Sequence, residues 1–258
     1  MRALVTNDDG VHSEGLLTLA GAALSRGLEV TVVAPAFDAS GSSAAMTATA
    51  SDGRVLVDRV GDGRRATVLG VQGPPAFIVR AAMYGAFGEP PDLVLSGVNR
   101  GLNTGRAVLH SGTVGAALTA ANYGRSGLAV SADTEDDDGW DPDPEIVGSA
   151  VDWILRAPRP TVLNVNVPKG SRRGGLEVCI TSLADCGTVQ GNVSELTGEF
   201  VPVTFADTDD APRGGTDAAA LGGGRVSITA ICAVTENTAV DVGNLLRGSA
   251  HPAGGYYL

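Results

Sequence analysis

Four short segments carry the residue types that could do chemistry. Asn7-Asp8-Asp9-Gly10 sets two carboxylates side by side. Such a pair repels itself unless a cation sits between or beside it. A hard divalent ion such as Mg²⁺ or Mn²⁺ accepts carboxylate and neutral oxygen ligands. The same residues also suit an Asx turn or helix N-cap ahead of Glu14, and the pair alone does not choose. Ser40-Gly41-Ser42-Ser43 offers hydroxyls to a cation or a phosphate, or is simply a loop of small residues. Ser96–Gly105 holds Asn99 and Asn103 among glycines that admit tight turns. An Asn amide oxygen there can complete a metal shell and backbone N–H groups can face an anion, or the segment is a structural turn. Ser111–Ala117 (SGTVGAA) reads as a helix start. Its N–H groups and the positive end of the helix dipole suit an anion, and a plain N-cap is the alternative. The segment is not a GxxxxGK[ST] loop, and no GxGxxG follows the first strand, so a dinucleotide fold is disfavoured.

Strands and helices must bring these segments together. Arg2–Thr6 reads as a buried strand, Glu14–Arg26 as a helix with apolar residues at helical spacing, and Leu28–Val33 as a second strand. That opening predicts a parallel sheet with right-handed crossovers. Two β-like runs, Arg54–Val60 and Arg65–Val71, flank Gly61-Asp62-Gly63 as a hairpin. A helix over Ala76–Phe87 and a strand over Asp92–Ser96 precede a loop at Gly97–Gly105. Helix Gly112–Tyr123, strand Leu128–Ser131, helix Glu145–Arg156 and strand Val162–Val167 follow. In such sheets ligands bind beyond the carboxyl ends of the strands, which is where the first three segments fall. Later, 176–181 and 225–231 look like strands, 182–224 reads as a protruding β or irregular stretch, and Thr238–Leu246 as a closing helix.

Composition bounds the class. Of 258 residues, 43% are hydrophobic and 18% charged, which excludes a mainly disordered chain. No apolar run reaches the roughly 20 residues of a membrane helix. Asp8 and Asp9 stand where a signal peptide would be apolar, so the protein is expected to be soluble and cytoplasmic. Eighteen basic against 29 acidic residues give a net charge of −11, which disfavours duplex nucleic acid and anionic membranes as partners. Cys179, Cys186 and Cys232 are odd in number and lack CxxC spacing, so neither a disulfide framework nor a zinc site is expected. The acidic stretch Asp133–Glu145 reads as a solvated loop without the ordered alternation of a calcium loop.

Taken together, the motifs resemble the SurE survival-protein nucleotidases. The matching segments are TNDDG (Thr6–Gly10), SGSS with a following MT (Ser40–Ser43, Met46-Thr47), PDLVLSGVNRGLNTG (Pro91–Gly105), SGTVGAA (Ser111–Ala117), LAVS (Leu128–Ser131), LNVNVP (Leu163–Pro168), and TDAAAL with VSIT (Thr216–Leu221, Val226–Thr229). They occur in family order across nearly the whole chain.

The resemblance implies an α/β fold, a Rossmann-like three-layer α/β/α sandwich with a mostly parallel sheet and a C-terminal β-rich oligomerisation extension. Residues 1–175 would form the catalytic core and 176–258 the extension, with a β-hairpin region, the final core strand and the closing helix. It implies a divalent-metal-dependent phosphomonoesterase acting on nucleoside 5′- or 3′-monophosphates, with one Mg²⁺ or Mn²⁺ per subunit and a homodimeric or homotetrameric assembly. The implied metal ligands are Asp8, Asp9, Ser40 and Asn99, with Asp8, Asp9 and Asn99 catalytic. Phosphate contacts are expected from Asn103, Ser111, Gly112 and Thr113. The chain departs from the family pattern at Ser13-Glu14-Gly15, where a carboxylate is added, and at Gly73–Phe77, where an Asp is missing. Thr181–Val189 lacks the family's Arg-rich pattern, and His110 stands where a Tyr is usual. His110 is either a general acid for the leaving oxygen or a packing substitution. These departures raise an alternative substrate, a non-nucleotide phosphorylated intermediate such as a sugar phosphate or natural-product precursor. His12 and His251 receive no role.

Overall fold

In β1 (Arg2–Thr6) successive side chains go to opposite faces of the sheet. Ala3 and Val5 enter one apolar cluster and Leu4 another, so this strand is buried on both sides. The computed structural model describes residues 1–61, 66–133, 143–169, 177–187, 189–193, 203–207, 212–232 and 234–235. The Asp62-Gly63 turn, the acidic stretch 134–142, the closing helix expected at Thr238–Leu246, and His251 lie outside these residues.

After β1 come α1 (Glu14–Ser25), β2 (Glu29–Pro35), the short pair β3 (Ala50–Ser51) and β4 (Arg54–Val55), β5 (Val57–Gly61), β6 (Thr67–Val71) and α2 (Pro75–Met83). Then follow β7 (Leu93–Arg100), a 3₁₀ turn at Gly105–His110, α3 (Gly112–Asn122), β8 (Ser126–Ala132), α4 (Pro144–Arg156) and β9 (Val162–Val167). The described part ends with β10 (Val178–Ile180), β11 (Val189–Val193), β12 (Val203–Asp207), α5 (Asp217–Gly222) and β13 (Val226–Ile231). Among the described residues the main sheet has nine strands in the order β10-β13-β9-β8-β7-β1-β2-β6-β5. Six central neighbours, β6-β2-β1-β7-β8-β9, are mutually parallel, while β5 and β13 pair antiparallel with β6 and β9. Strands β11 and β12 form a separate antiparallel pair.

Two helix layers cover the sheet. Leu16, Leu19 and Ala23 of α1 join Val147, Val151 and Ile154 of α4 over one face, and Ile78 and Val79 of α2 join Ala116 and Ala120 of α3 over the other. This is the three-layer α/β/α arrangement. Helix α1 starts at Ser13, whose hydroxyl accepts from Leu16 N–H at 3.3 Å. Its far end is tied to α4 by a two-pronged contact, Arg26 Nε and Nη2 each 2.8 Å from the Asp152 carboxylate. Strand order reverses between β1 and β7: β2 and β6 add on one side of β1, and β7 then returns to the other. A cleft therefore opens where the carboxyl ends of β1 and β7 diverge.

The structure corrects several expected bounds. Strand β7 runs on to Arg100, with a register shift between Ser96 and Asn99, so the loop begins after Arg100 rather than at Gly97. Helix α2 stops at Met83 because Gly85, at φ +81°, takes the left-handed conformation. The stretch 182–224 contains a helix, α5, capped by the Thr216 hydroxyl.

Close approach sets limits on the core. A Cβ on Gly127 of β8 would lie 2.3 Å from the Ala117 carbonyl oxygen of α3. Gly127→Ala should therefore cost about 1–3 kcal/mol of stability through overpacking. A lowered urea midpoint at unchanged m-value checks this.

Candidate active site

Three elements and one loop converge at the cleft. Just past β1, Asn7 Nδ2 donates to the Gly10 carbonyl at 3.0 Å, and Val11 N–H to the Pro35 carbonyl at 2.8 Å. Gly10 sits at φ +99°, and a Cβ there would press to 3.2 Å from the Phe37 carbonyl oxygen. This tight turn leaves Asp8 buried and Asp9 half-buried. The loop after β2 is bound to it, Ala39 N–H donating to the Asp8 carbonyl at 2.7 Å.

The other side of the cleft comes from β7 and α3. Arg100 N–H donates to Asp9 Oδ2 at 3.3 Å. The Thr113 hydroxyl donates to Asp8 Oδ1 and lies 3.4 Å from Asn99 Oδ1. Carboxylate, amide and hydroxyl oxygens from β1, β7 and α3 thus meet around Thr113. Gly112 is a contact position: a Cβ there would be 2.7 Å from Asp8 Oδ2 and 2.6 Å from Ser42 Oγ. The loop after β2 is also fastened to the entry of α3. Ser43 N–H donates to the His110 carbonyl at 3.1 Å, and Ser43 Oγ to the Leu109 carbonyl at 2.6 Å.

A family model described as "Survival protein SurE" matches residues 3–187. The chain belongs to the SurE family. A protein named 5′-nucleotidase SurE from Herpetosiphon aurantiacus is 37% identical over 241 residues, 89% of this chain and 91% of that protein. One of the same name from Rhodopirellula baltica is 35% identical over 235 residues, again 89% and 91%. The crystal structure of a SurE protein from Aquifex aeolicus superposes with a TM-score of 0.77 at 27% identity, covering 96% of this chain and all of that one.

Asp8, Asp9, Asn99 and Thr113 share the cleft. Ser40 is exposed, and its hydroxyl donates to Asp38 Oδ1 at 2.6 Å. Ser111 caps α3, accepting from Val114 N–H at 3.1 Å. Asn103 lies over β8 and β9, its Nδ2 donating to Ser131 Oγ at 2.8 Å. His110 is exposed at the end of the 3₁₀ turn, and Glu14 is exposed in the first turn of α1. No role is expected from the sequence for Asp38, Ser131, Asn164, Asn166 or Asp217, although all but Asp38 lie in the matched motifs. Asn164 and Asn166 carry a visible signal, being polar within a strand otherwise suited to burial.

Burial raises the pKa of Asp8, opposed by hydrogen bonds from the Thr113 hydroxyl and from the N–H groups of Thr113 and Gly112. The first N–H groups of α3 are therefore turned toward the Asp8 carboxylate. Asp9 is pushed from 3.8 to about 7, by burial first and repulsion from Asp8 second, with a smaller push from Asp38; the Arg100 N–H and the Arg100 charge oppose the rise. Two acids held in proximity against their own charge fit a cation well. No three His, Cys, Asp or Glu residues are grouped to hold a metal among the described residues, so such an ion would draw neutral oxygens as well.

This pair has a pH signature in metal-free protein. Asp9 titrates near 7 when folded and 3.8 when not, so its contribution to stability is present below pH 3.8 and is lost as pH rises through 7. Asp8 acts in the same direction. The Tm measured with chelator should fall with rising pH across this window, and the slope should shrink in Asp9→Asn. Excess Mn²⁺ should raise the Tm most at the alkaline end, where both carboxylates are charged.

Proposed function

We propose that this chain is a divalent-metal-dependent phosphomonoesterase that hydrolyses nucleoside 5′- or 3′-monophosphates to nucleoside and phosphate. The observation that carries this reading is the meeting of Asp8, Asp9 and Asn99 oxygens with the N-terminus of α3 at the carboxyl ends of β1 and β7. Membership of a family whose relatives are named 5′-nucleotidase supports the nucleotide substrate over another phosphate ester.

Asp8, Asp9, Asn99 and, after rotation away from Asp38, Ser40 would hold one Mg²⁺ or Mn²⁺ per subunit. Such an ion, when bound, supplies positive charge to phosphoryl oxygens and makes water more acidic. The Thr113 hydroxyl orients Asp8 by its hydrogen bond. The Gly112 and Thr113 N–H groups already donate to Asp8, so what the start of α3 would offer the equatorial oxygens, where charge gathers during transfer, is the positive end of its dipole. Asn103 and Ser111 would line the same phosphate region, and His110, exposed at the end of the 3₁₀ turn, is either a general acid for the leaving oxygen or a packing substitution. The assembly is a homodimer or homotetramer formed through the region from 176 onward, working in the cytoplasm.

A panel of phosphate esters assayed with Mg²⁺, Mn²⁺ or chelator tests the reading. Nucleoside monophosphates should be hydrolysed, and chelator should abolish the activity. Asp8→Asn and Asp9→Asn should each lower kcat by about a hundredfold or more. Preference for a sugar phosphate over every nucleotide would replace the substrate, and inactivity on all esters with either ion would overturn the proposal.

A further inference from the structure

Polar side chains line one face of the sheet beside the cleft, where the neighbouring positions are apolar. Asn164 and Asn166 alternate with Leu163, Val165 and Val167 along β9, and both are fully buried. Strand register sets Asn166 beside Ser131 of β8, and Ser131 beside Asn99 of β7. The backbone of Asn103 crosses this row. Its N–H donates to Asn166 Oδ1 at 2.7 Å. Its carbonyl accepts from Asn166 Nδ2 and Asn164 Nδ2, each at 2.9 Å. The Asn166 amide therefore engages both backbone groups of a single residue, much as a neighbouring strand does.

A second hold lies two residues further on. Gly105 N–H donates to Asp217 Oδ2 at 2.8 Å. The other oxygen of Asp217 accepts from Ala184 N–H at 2.9 Å and Ala218 N–H at 2.8 Å. Asp217 is fully buried. A Cβ on Gly105 would lie 2.1 Å from the Cys186 carbonyl oxygen, so the loop is pressed against that segment. Gly105 also opens the 3₁₀ turn that leads directly into Ser111 and α3. Loop backbone is ordinarily free to adopt many shapes, and buried polar groups are costly unless bonded. Here the Asn166 amide, Asn164 Nδ2 and one oxygen of Asp217 all bond to backbone within a stretch of three residues.

We propose that Asn166 and Asp217, assisted by Asn164, are positioning residues of the phosphoryl site. They hold Asn103–Gly105 between β9 and the start of α5, which aims Asn103 at the substrate phosphate and fixes the approach to the N-terminus of α3. This rests on the phosphatase reading above, in which Asn103 and Ser111–Thr113 face phosphate. Neither positioning residue touches substrate or ion.

Near-isosteric changes in the full chain test it. Asn166→Asp keeps an acceptor for Asn103 N–H and sets an oxygen against the Asn103 carbonyl. Asp217→Asn keeps the bonds to Ala184 and Ala218 and removes the acceptor facing Gly105. Ser131→Ala, which removes only the tether on Asn103 Nδ2, decides the question if either of these fails to fold. Three readouts are compared: amide exchange at Asn103 and Gly105 by NMR, Mn²⁺ affinity by EPR, and steady-state kinetics on a nucleoside 5′-monophosphate. Asp217→Asn should speed exchange at the freed Gly105 amide, and Asn166→Asp should speed it at Asn103 by repelling the Asn103 carbonyl; each should raise KM by about tenfold, with the Mn²⁺ Kd within about twofold of wild type. For Ser131→Ala the expected change is the rise in KM alone. Unchanged exchange in both clamp variants, unchanged KM despite faster exchange, or a Mn²⁺ affinity that weakens in step with KM would each overturn the proposal. A wild-type protein inactive on every ester would instead overturn the phosphatase reading and the role in KM with it, while the exchange data would still decide whether the clamp exists.

Discussion

Repulsion between two neighbouring carboxylates, held where water is scarce, is the constraint around which the rest of the molecule is arranged. Asp8 and Asp9 follow a strand buried on both faces, so the chain has no freedom to swing them into solvent. Thr113 and the first N–H groups of α3 support Asp8, and the Arg100 N–H supports Asp9. These donors come from elements about a hundred residues downstream, and only the strand reversal beside β1 brings them close. The protein thus spends folding stability to keep an unfavourable pair in place. A structural turn alone would not demand such support.

The layered architecture translates this local requirement into a pattern across the sheet. On the face covered by α3, residues near the start of the strands are apolar, such as Leu4 and Val94. Toward the carboxyl ends the positions become Thr6 and Ser96, then Asn99, Ser131 and Asn166 in register. The opposite face stays apolar to the strand ends, with Ala132 and Val167 still in its cluster. One side of the sheet therefore serves as core throughout, while the other changes from core to site partway along its strands.

Much of this was legible in the amino-acid sequence. Periodicity located the central strands and the helices, because a doubly covered parallel strand is apolar along its length and an amphipathic helix repeats every three or four residues. Asp8 and Asp9 stand out by type and by position after a strand, whereas the choice of Asn99 over Asn103 rests on the family resemblance. The course of β7 was less visible: Gly97 reads as a break, yet the strand passes through it by shifting register. There a glycine serves the close approach to β8, since a Cβ would meet the Val130 carbonyl oxygen at 2.2 Å. Nor could the partners of Asn103 and Gly105 be read, because Asn166 and Asp217 are 63 and 112 residues away and no local spacing encodes such contacts.

The order of assembly follows from the place of β13 between β9 and β10. A nascent chain emerging from the ribosome can complete β1, β2 and β6 to β9, with both acids already at the strand end, well before residue 217 is translated. At that stage the brace from α5 is absent, and the edge of β9 that will receive β13 is bare. The contact between Asp217 and Gly105 therefore waits on the C-terminal third of the polypeptide, and the loop beside the cleft is braced only late in synthesis.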